Sequence, residues 1–558
     1  MLTSYSTSGN LLLRIRIPRP SIAPVPARVP TTAPESRSDS GAPLRVALGI
    51  LGSRLTGLVR ESLTGHFFGV ETIAADAFRA ALRVPTLLSN LFGEGVLSAA
   101  FVTVYSKLRA AHEDEEARHV AAAIFGILAV VCSVLVLAGV LLAPYLIDFI
   151  APGFHGEERR LTIRIVQILF PGTGILVMSA WCLGVLNSHR RFLLSYLSPV
   201  AVNFVVIAAL AFFGPRSGRE QLVIYAAWAF VIGYLVQFLI QLPRVLRVLP
   251  GFRPAFEWRS THVRSVIKNF GPIFLSRGVV QLSAYIDSMI ASELPRGAVA
   301  ILGYAQYLSI LPISLFSMSV SAAELPAMSS ALGDREEIAA ILRRRLSAGL
   351  RNIAFFIVPS AVAFLVLGDV VGGAIYQSGR FSHADAIYLW SVLAGSAVGL
   401  LASSLGRLYS SAFYALLDTR TPLRFAVIRV LVTTGLGLLC AFQLPGWFGF
   451  DQRWAVAGLT ASAGIAGWLE FTLLRNALNR RIGKTGLPPV FLIKLWSIAL
   501  AGAFVGYSVK LALGTAHPKL LALLVLPIYG VIYFGGTMWA KVPESASAVH
   551  TVLRRFRF

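Results

Sequence analysis

The chain has 558 residues, of which 56% are hydrophobic and only 14% charged; a soluble protein of this length carries roughly 25% charged residues, so the composition excludes a soluble globular protein and predicts a polytopic membrane protein. Lys and Arg number 50 against 27 acids, a net charge of +23, which in a membrane protein reflects basic cytoplasmic loops and not a nucleic-acid partner. Cys132, Cys182 and Cys440 all lie in apolar runs and offer neither metal-ligand spacing nor a disulfide framework.

Residues 1–42 are rich in Pro, Ser, Thr and Arg, as in RPSIAPVPARVPTTAPESRSDSGAP. Such a segment cannot bury enough apolar surface to order itself, which predicts a disordered basic tail. Its NLLLRIRI run is too short and too interrupted for a signal-peptide core. From residue 43 the apolar runs are nearly continuous, and about fourteen spans of roughly 20 residues or more fit them. They lie near 43–64, 75–106, 119–150, 161–187, 193–214, 221–243, 265–292, 298–330, 340–368, 385–416, 422–445, 453–474, 489–513 and 519–540. Basic residues crowd the loops after even-numbered spans, for example Arg190, Arg191, Arg343, Arg344, Arg345, Arg480 and Arg481. That asymmetry places the even-numbered loops and both termini in the cytoplasm.

The sequence repeats itself. SRLTGLVRES begins at Ser53 and SRGVVQLSAY at Ser276; SAAFVTVYS begins at Ser98 and SAAELPAMS at Ser321; both offsets are 223 residues. An offset that spans six helices keeps their orientation, so the repeat is parallel, with a pseudo-two-fold axis along the membrane normal. The predicted fold is all-α: a six-helix lobe over 43–250, a second over 251–480, two further helices within 481–545, and a basic tail over 546–558. Substrate sites in such proteins lie between the lobes.

An ionisable group at membrane depth costs roughly 2.5–3.5 kcal/mol, so those present must face a cavity, a partner or an interface. The first span holds Arg54, Arg60 and Glu61; the second Asp76, Arg79, Arg83 and Glu94; the seventh Arg277 and Asp287; and Glu324, Arg407 and Glu470 follow in the eighth, tenth and twelfth. Arg60 and Asp76 share a depth and are expected to pair. Arg54 and Arg83 then lie near mid-membrane with no acid at the same depth, and Arg277 is the repeat mate of Arg54. Surplus arginine around a central cavity describes an anion site suited to phosphate. The alternative is that these arginines pair with Glu61, Asp76, Glu94 and Asp287, or reach toward headgroups, with Arg79 the foremost snorkeller. Arg407 and Glu470 read as a buried pair in preference to an interlobe latch. His189 reads as a loop histidine. Asp287, Asp418 and Thr434 offer hard oxygen ligands for a sodium ion, the one cofactor considered; Asp418 otherwise caps the DTRTP turn. No HExxH, loop acidic cluster or Ser/His/Asp arrangement is present, so no catalytic role is expected.

Several segments together resemble the MurJ (MviN) family of lipid II flippases, within the multidrug/oligosaccharidyl-lipid/polysaccharide exporter superfamily. They are SRLTGLVRE from Ser53, DAF from Asp76, VPTLL from Val84, FGEG from Phe92, AFVT from Ala100, LNSHRRF from Leu186, YQSGRFSHADA from Tyr376 and FYALLDTRTP from Phe413. The resemblance runs from about residue 43 onward. It implies a transporter that moves a polyprenyl-pyrophosphate-linked sugar, lipid II, from the inner to the outer leaflet of a bacterial cytoplasmic membrane by alternating access. Arg54, Arg60, Asp76, Arg83 and Arg277 would then meet the substrate, the last two helices would form a groove for its lipid tail, and membrane lipids would be the other partners of a monomer. Pro85 and the small residues after it allow a bent, closely packed second helix; Glu94 is either a cytoplasmic latch or a satisfied buried carboxylate, and Glu61 is structural or gating. The chain departs from the family pattern at Ser89 and Asn90, where an arginine is common, at Gln306 and Tyr307, where Asp-Arg is common, and at Thr103, where a proline is common. These departures keep open a flippase for another lipid-linked glycan, such as an O-antigen or exopolysaccharide unit. A cation-coupled drug exporter is the more distant alternative.

Overall fold

The computed structural model describes residues 42–546 except 93–96, 190, 192–193, 195–196, 330–333 and 515, and it leaves the side chains of 42–50, 89, 91–92, 98–99, 269, 271–284, 326 and 335 undescribed. The described residues are helical, without a strand. Among the described residues fourteen long helical rods follow one another. They are α1 (Ala42–Phe68), α2 (Ile73–Phe92, resuming as Ser98–Val102 and Thr103–Ala110), α3 (Asp114–Leu141), α4 (Gly156–Ser188), α5 (Pro199–Phe213), α6 (Arg219–Val248) and α7 (Thr261–Ser292). Then come α8 (Ala298–Ser329), α9 (Arg335–Val366), α10 (His383–Ala415), α11 (Arg420–Phe448), α12 (Gln452–Ile482), α13 (Pro489–Leu513) and α14 (Pro518–Trp539). Ten of them are long and apolar enough on their own to cross a membrane.

The pairing of helices repeats as the sequence does. α1 packs on α5, α2 and α3 on α4, and α4 and α5 on α6; each pair recurs six helices later, as α7 on α11, α8 and α9 on α10, and α10 and α11 on α12. Two details that sequence reading missed obey the same repeat. The third span breaks at Leu142 into α3 and a short helix, Ala143–Ile150, and a matching short helix, Gly368–Tyr376, follows α9. In the first of these Ala143, Ile147 and Ile150 face inward while Tyr145 and Phe149 are exposed, the amphipathic pattern of a helix lying on a surface.

Local chemistry fixes the helix ends and bends. Asp334 with Glu337, and Ser382 with Asp385, form capping boxes that start α9 and α10. Pro85 is buried inside α2, and α8 turns π-helical at Ile313–Met318, directly after Pro312. Prolines and π-turns are the usual causes of bends in long helices; the repeat-related α2 and α8 carry both, and α11 also turns π-helical, at Leu439–Gln443. Close packing relies on small residues: a Cβ on Gly399 of α10 would stand 2.2 Å from the Gly464 Cα of α12, so the two backbones touch. The last pair docks by a different device. Pro359 in α9 has no N–H for the Phe355 carbonyl four residues earlier, and the Tyr533 hydroxyl of α14 donates to that oxygen at 2.6 Å. Tyr529 donates to the Pro359 carbonyl at 2.7 Å. The outer faces of α13 and α14 expose Val490, Ile493, Phe504, Leu511, Leu523 and Val531, as a lipid-facing surface does.

Candidate functional site: an arginine-lined cavity

Helical spacing places Ser53, Arg54, Gly57 and Arg60 of α1 on one stripe, and that stripe lines a cavity of about 250 Å³. Asn203 of α5, Phe230, Tyr234 and Gln237 of α6, and Tyr307 of α8 complete its wall. The first six-helix unit therefore builds most of the cavity and the second contributes Tyr307. A Cβ on Gly57 would lie 2.3 Å from the Tyr307 hydroxyl oxygen, so glycine at 57 leaves room for the tip of the Tyr307 side chain.

Arg60 is held rather than free. Its Nη1 donates to Asn203 Oδ1 at 3.0 Å, its Nη2 to Glu61 Oε1 at 2.8 Å, and its guanidinium lies 5.2 Å from the Phe230 ring centre. Glu61 is buried and also receives Arg79 Nη2, whose guanidinium stacks 4.2 Å from the Tyr304 ring centre. Two arginines thus share one carboxylate. Asn203 ties α5 to α1 through Ser53 O at 3.2 Å and Thr56 Oγ1 at 2.9 Å. Arg54 is half-buried in the cavity wall and makes no hydrogen bond or ion pair with any described residue. The arrangement keeps a net positive charge facing an open cavity, with fork-shaped donors available to an oxyanion.

The structure revises several sequence expectations. Asp76 does not pair with Arg60. It is buried and accepts from Gly297 N at 2.6 Å and Ala300 N at 2.7 Å, so it caps the N-terminus of α8, where unpaired N–H groups and the helix dipole favour a carboxylate. Asp76 is a joint between α2 and α8. Arg79 does not snorkel, because Glu61 and Tyr304 hold it inside. Glu470 pairs with Arg429 at 3.0 Å and not with Arg407, which is exposed. Asp287, Asp418 and Thr434 do not form one ion site. Asp418 precedes α11 and Thr434 lies fourteen residues into it, about 20 Å away at 1.5 Å per residue. Asp418 instead accepts from Arg420 N and Thr421 N, both at 3.0 Å, from Thr421 Oγ1 at 2.7 Å and from Arg481 at 2.6 Å. Burial opposes its ionisation, but the Thr421 bonds and Arg481 together hold its carboxyl below the usual range. Thr434 donates to Val430 O. Among the described residues no group of three His, Cys, Asp or Glu side chains is placed to hold a metal ion.

Arg83 lies apart from the cavity wall. Its Nη2 donates to Gln306 Oε1 at 3.2 Å, and its carbonyl accepts from Tyr285 at 2.8 Å. Gln306 stands 223 residues from Arg83, so this contact joins repeat mates across the pseudo-axis. Asp287 Oδ1 is buried without a hydrogen-bond partner among the described residues. Arg277 falls in α7 with its side chain outside the described residues, and Glu94 lies outside them altogether. Sequence reading overlooked Asn203 and Gln237 as site residues. The available signal was a carboxamide within an apolar span. Gln237 belongs to a buried chain of bonds through Ser179 and Gln241.

The profile of the family "Lipid II flippase MurJ" matches residues 65–530. The chain belongs to the lipid II flippase MurJ family. Among curated members, "Lipid II flippase MurJ" of Burkholderia cenocepacia is 32% identical over 77% of this chain and 81% of its own length. "Probable lipid II flippase MurJ" of Rhizobium meliloti (strain 1021) is 30% identical over 83% and 84%. The fold agrees with a solved "Lipid II flippase MurJ, inward closed conformation", at TM-score 0.75 and 22% identity over 89% of this chain and 99% of that one. It also agrees with an inward-facing multidrug resistance MATE transporter of the MOP superfamily, at TM-score 0.63 and 18% identity over 79% of this chain. Of the Gln306–Tyr307 departure, Tyr307 walls the cavity, whereas Gln306 accepts from Arg83 away from it.

Proposed function

We propose that this MurJ-family chain carries lipid II from the inner to the outer leaflet of the bacterial cytoplasmic membrane, its two six-helix units rocking about the cavity between them. The observation that carries the reading is Arg54, a guanidinium with no hydrogen-bond or ion-pair partner among the described residues, beside Arg60 in a cavity that the first unit builds and Tyr307 of the second completes. A pyrophosphate supplies the missing acceptor oxygens, and water exclusion strengthens each charge-assisted bond. No covalent bond changes. The prenyl tail follows the apolar outer faces of α13 and α14, and the basic loops put both termini in the cytoplasm. The protein works as a monomer. The separation of Asp418 from Thr434 favours the membrane potential over sodium as the drive, at about 2.3 kcal/mol per elementary charge per 100 mV.

A second reading, a flippase for another polyprenyl-linked glycan, is favoured by Tyr307, which places a neutral hydroxyl where the family commonly has a cation. Expression in cells depleted of their own lipid II flippase separates the two. Rescue of growth and of outer-leaflet lipid II supports the first reading; stable protein in the membrane without rescue sinks it.

A further inference from the structure

A second cationic cavity, of about 620 Å³, lies at the opposite end of the second unit from the α7–α8 turn. Arg343 and Arg344 of α9, Arg475 of α12 and Lys484 of the α12–α13 loop line it, together with Ser347, Thr485 and the apolar Leu487 and Pro488; no acidic residue does. Its floor is built, not a chance meeting of surface side chains. Arg343 donates to the Ile482 carbonyl and Arg475 Nε to the Thr485 carbonyl at 3.0 Å. Thr485 is fixed in turn by Asn479 Oδ1 at 2.9 Å from its N–H and by the Tyr409 hydroxyl at 3.0 Å. Gly483 (φ +90°) and Gly486 (φ +136°) adopt backbone conformations that favour glycine, and a Cβ on either would meet the Arg343 or Arg475 guanidinium at 2.7–2.8 Å. The loop is thus shaped to seat both guanidinium groups. Arg344 and Lys484 make no hydrogen bond or ion pair with any described residue, and the N-terminus of α13, with its unpaired N–H groups, opens beside them.

We propose that this cavity binds the phosphate of an anionic membrane lipid. The shared chemistry is a phosphate oxyanion. The lipid source is favoured because Ile341, Val490 and Ile493 flank the site and are exposed, giving acyl chains an apolar surface directly beside the charges. The site is separate from the α1 cavity and stands whether or not the flippase reading does.

The test uses the purified full-length protein in neutral detergent, titrated with short-chain phosphatidylglycerol, phosphatidylcholine and inorganic phosphate, with bound lipid read by native mass spectrometry and melting followed in parallel. Phosphatidylglycerol is expected to bind more tightly than phosphatidylcholine and to raise the melting midpoint. Each of Arg344→Gln and Lys484→Gln should weaken it about fivefold, and the double variant roughly thirtyfold, as expected for the loss of charges near a headgroup. Without ligand these variants should melt as wild type does, since both side chains are exposed and neither has a hydrogen-bond or ion-pair partner among the described residues. Arg160→Gln, an exposed charge at the start of α4, should change nothing. Equal retention of the two lipids, or unchanged phosphatidylglycerol binding in the double variant, overturns the site. Displacement of phosphatidylglycerol by an equal concentration of inorganic phosphate overturns its assignment to lipid.

Discussion

Removing the Arg54 guanidinium and removing the Glu61 carboxylate test different physics. Arg54 has no described internal partner, so Arg54→Ala should leave membrane abundance unchanged and weaken lipid II binding about tenfold to a hundredfold, the loss of a charge-assisted bond of roughly 1.5–3 kcal/mol. Arg54→Lys keeps the charge without the fork and should fall between the two. Glu61→Ala removes the buried carboxylate shared by Arg60 and Arg79, whose side chains are 18% and 10% exposed; the cost falls below the about 3–5 kcal/mol of breaking a fully buried pair, and membrane abundance itself should drop. Immunoblotting of membranes beside a binding titration distinguishes the cases; loss of abundance in Arg54→Ala would remove the reason to call it a ligand. His189 supplies a pH dependence. Its ring shares a 2.9 Å hydrogen bond with the Tyr105 hydroxyl, and burial first, then Arg109, pushes its pKa down to about 4. The unfolded chain, with a histidine near 6.5, therefore binds more protons between those values, so stability rises with pH from about 4 to 6.5 and levels off above. Melting midpoints across that range should show the rise in wild type and a shallower one in His189→Gln.

At the scale of elements, two polar contacts hold helices that apolar packing alone would let slide. Asp76 of α2 receives two N–H groups from the start of α8, and Asp76→Ala leaves both unsatisfied in a buried place, at about 1–3 kcal/mol each. Tyr533→Phe leaves the Phe355 carbonyl without the donor that Pro359 also withholds, at a similar cost for one group. Both variants should melt earlier than wild type in detergent. They should differ under limited proteolysis: Tyr533→Phe should expose the α13–α14 pair to cleavage, whereas Asp76→Ala should loosen the α2–α8 contact and leave that pair protected. Identical cleavage patterns would mean that these contacts do not act locally.

For the whole molecule, orientation and drive are the decisive properties. Reporters fused to either end should be active only on the cytoplasmic side, and one placed in the loop at 214–218 only outside; a C-terminus reached from outside would refute the fourteen-span arrangement. Replacing sodium by potassium should leave transport unchanged, while collapsing the membrane potential should slow it. Much of this architecture was legible in the chain itself. Apolar runs longer than a bilayer is thick can only be spanning helices, because no other structure satisfies the backbone within lipid, and two motifs at one offset declared the repeat. The same alphabet could not assign partners. Arg60, Arg79, Glu61 and Asp76 all lie within two adjacent helices, and their depths allowed an Arg60–Asp76 pair. The choice of Glu61 for both arginines, and of the α8 N-terminus for Asp76, depends on how α8 is rotated and seated against α1 and α2. Part of that seating is the pair of N–H groups at the start of α8 that Asp76 accepts, donors left over only once α8 has formed. The sequence by itself determined the number of helices, their repeat and the surplus of buried positive charge, because these follow from composition and spacing. The tertiary structure alone decided which arginine is left without a partner among the described residues, because a charge is paired or unpaired only relative to neighbours brought close by the fold.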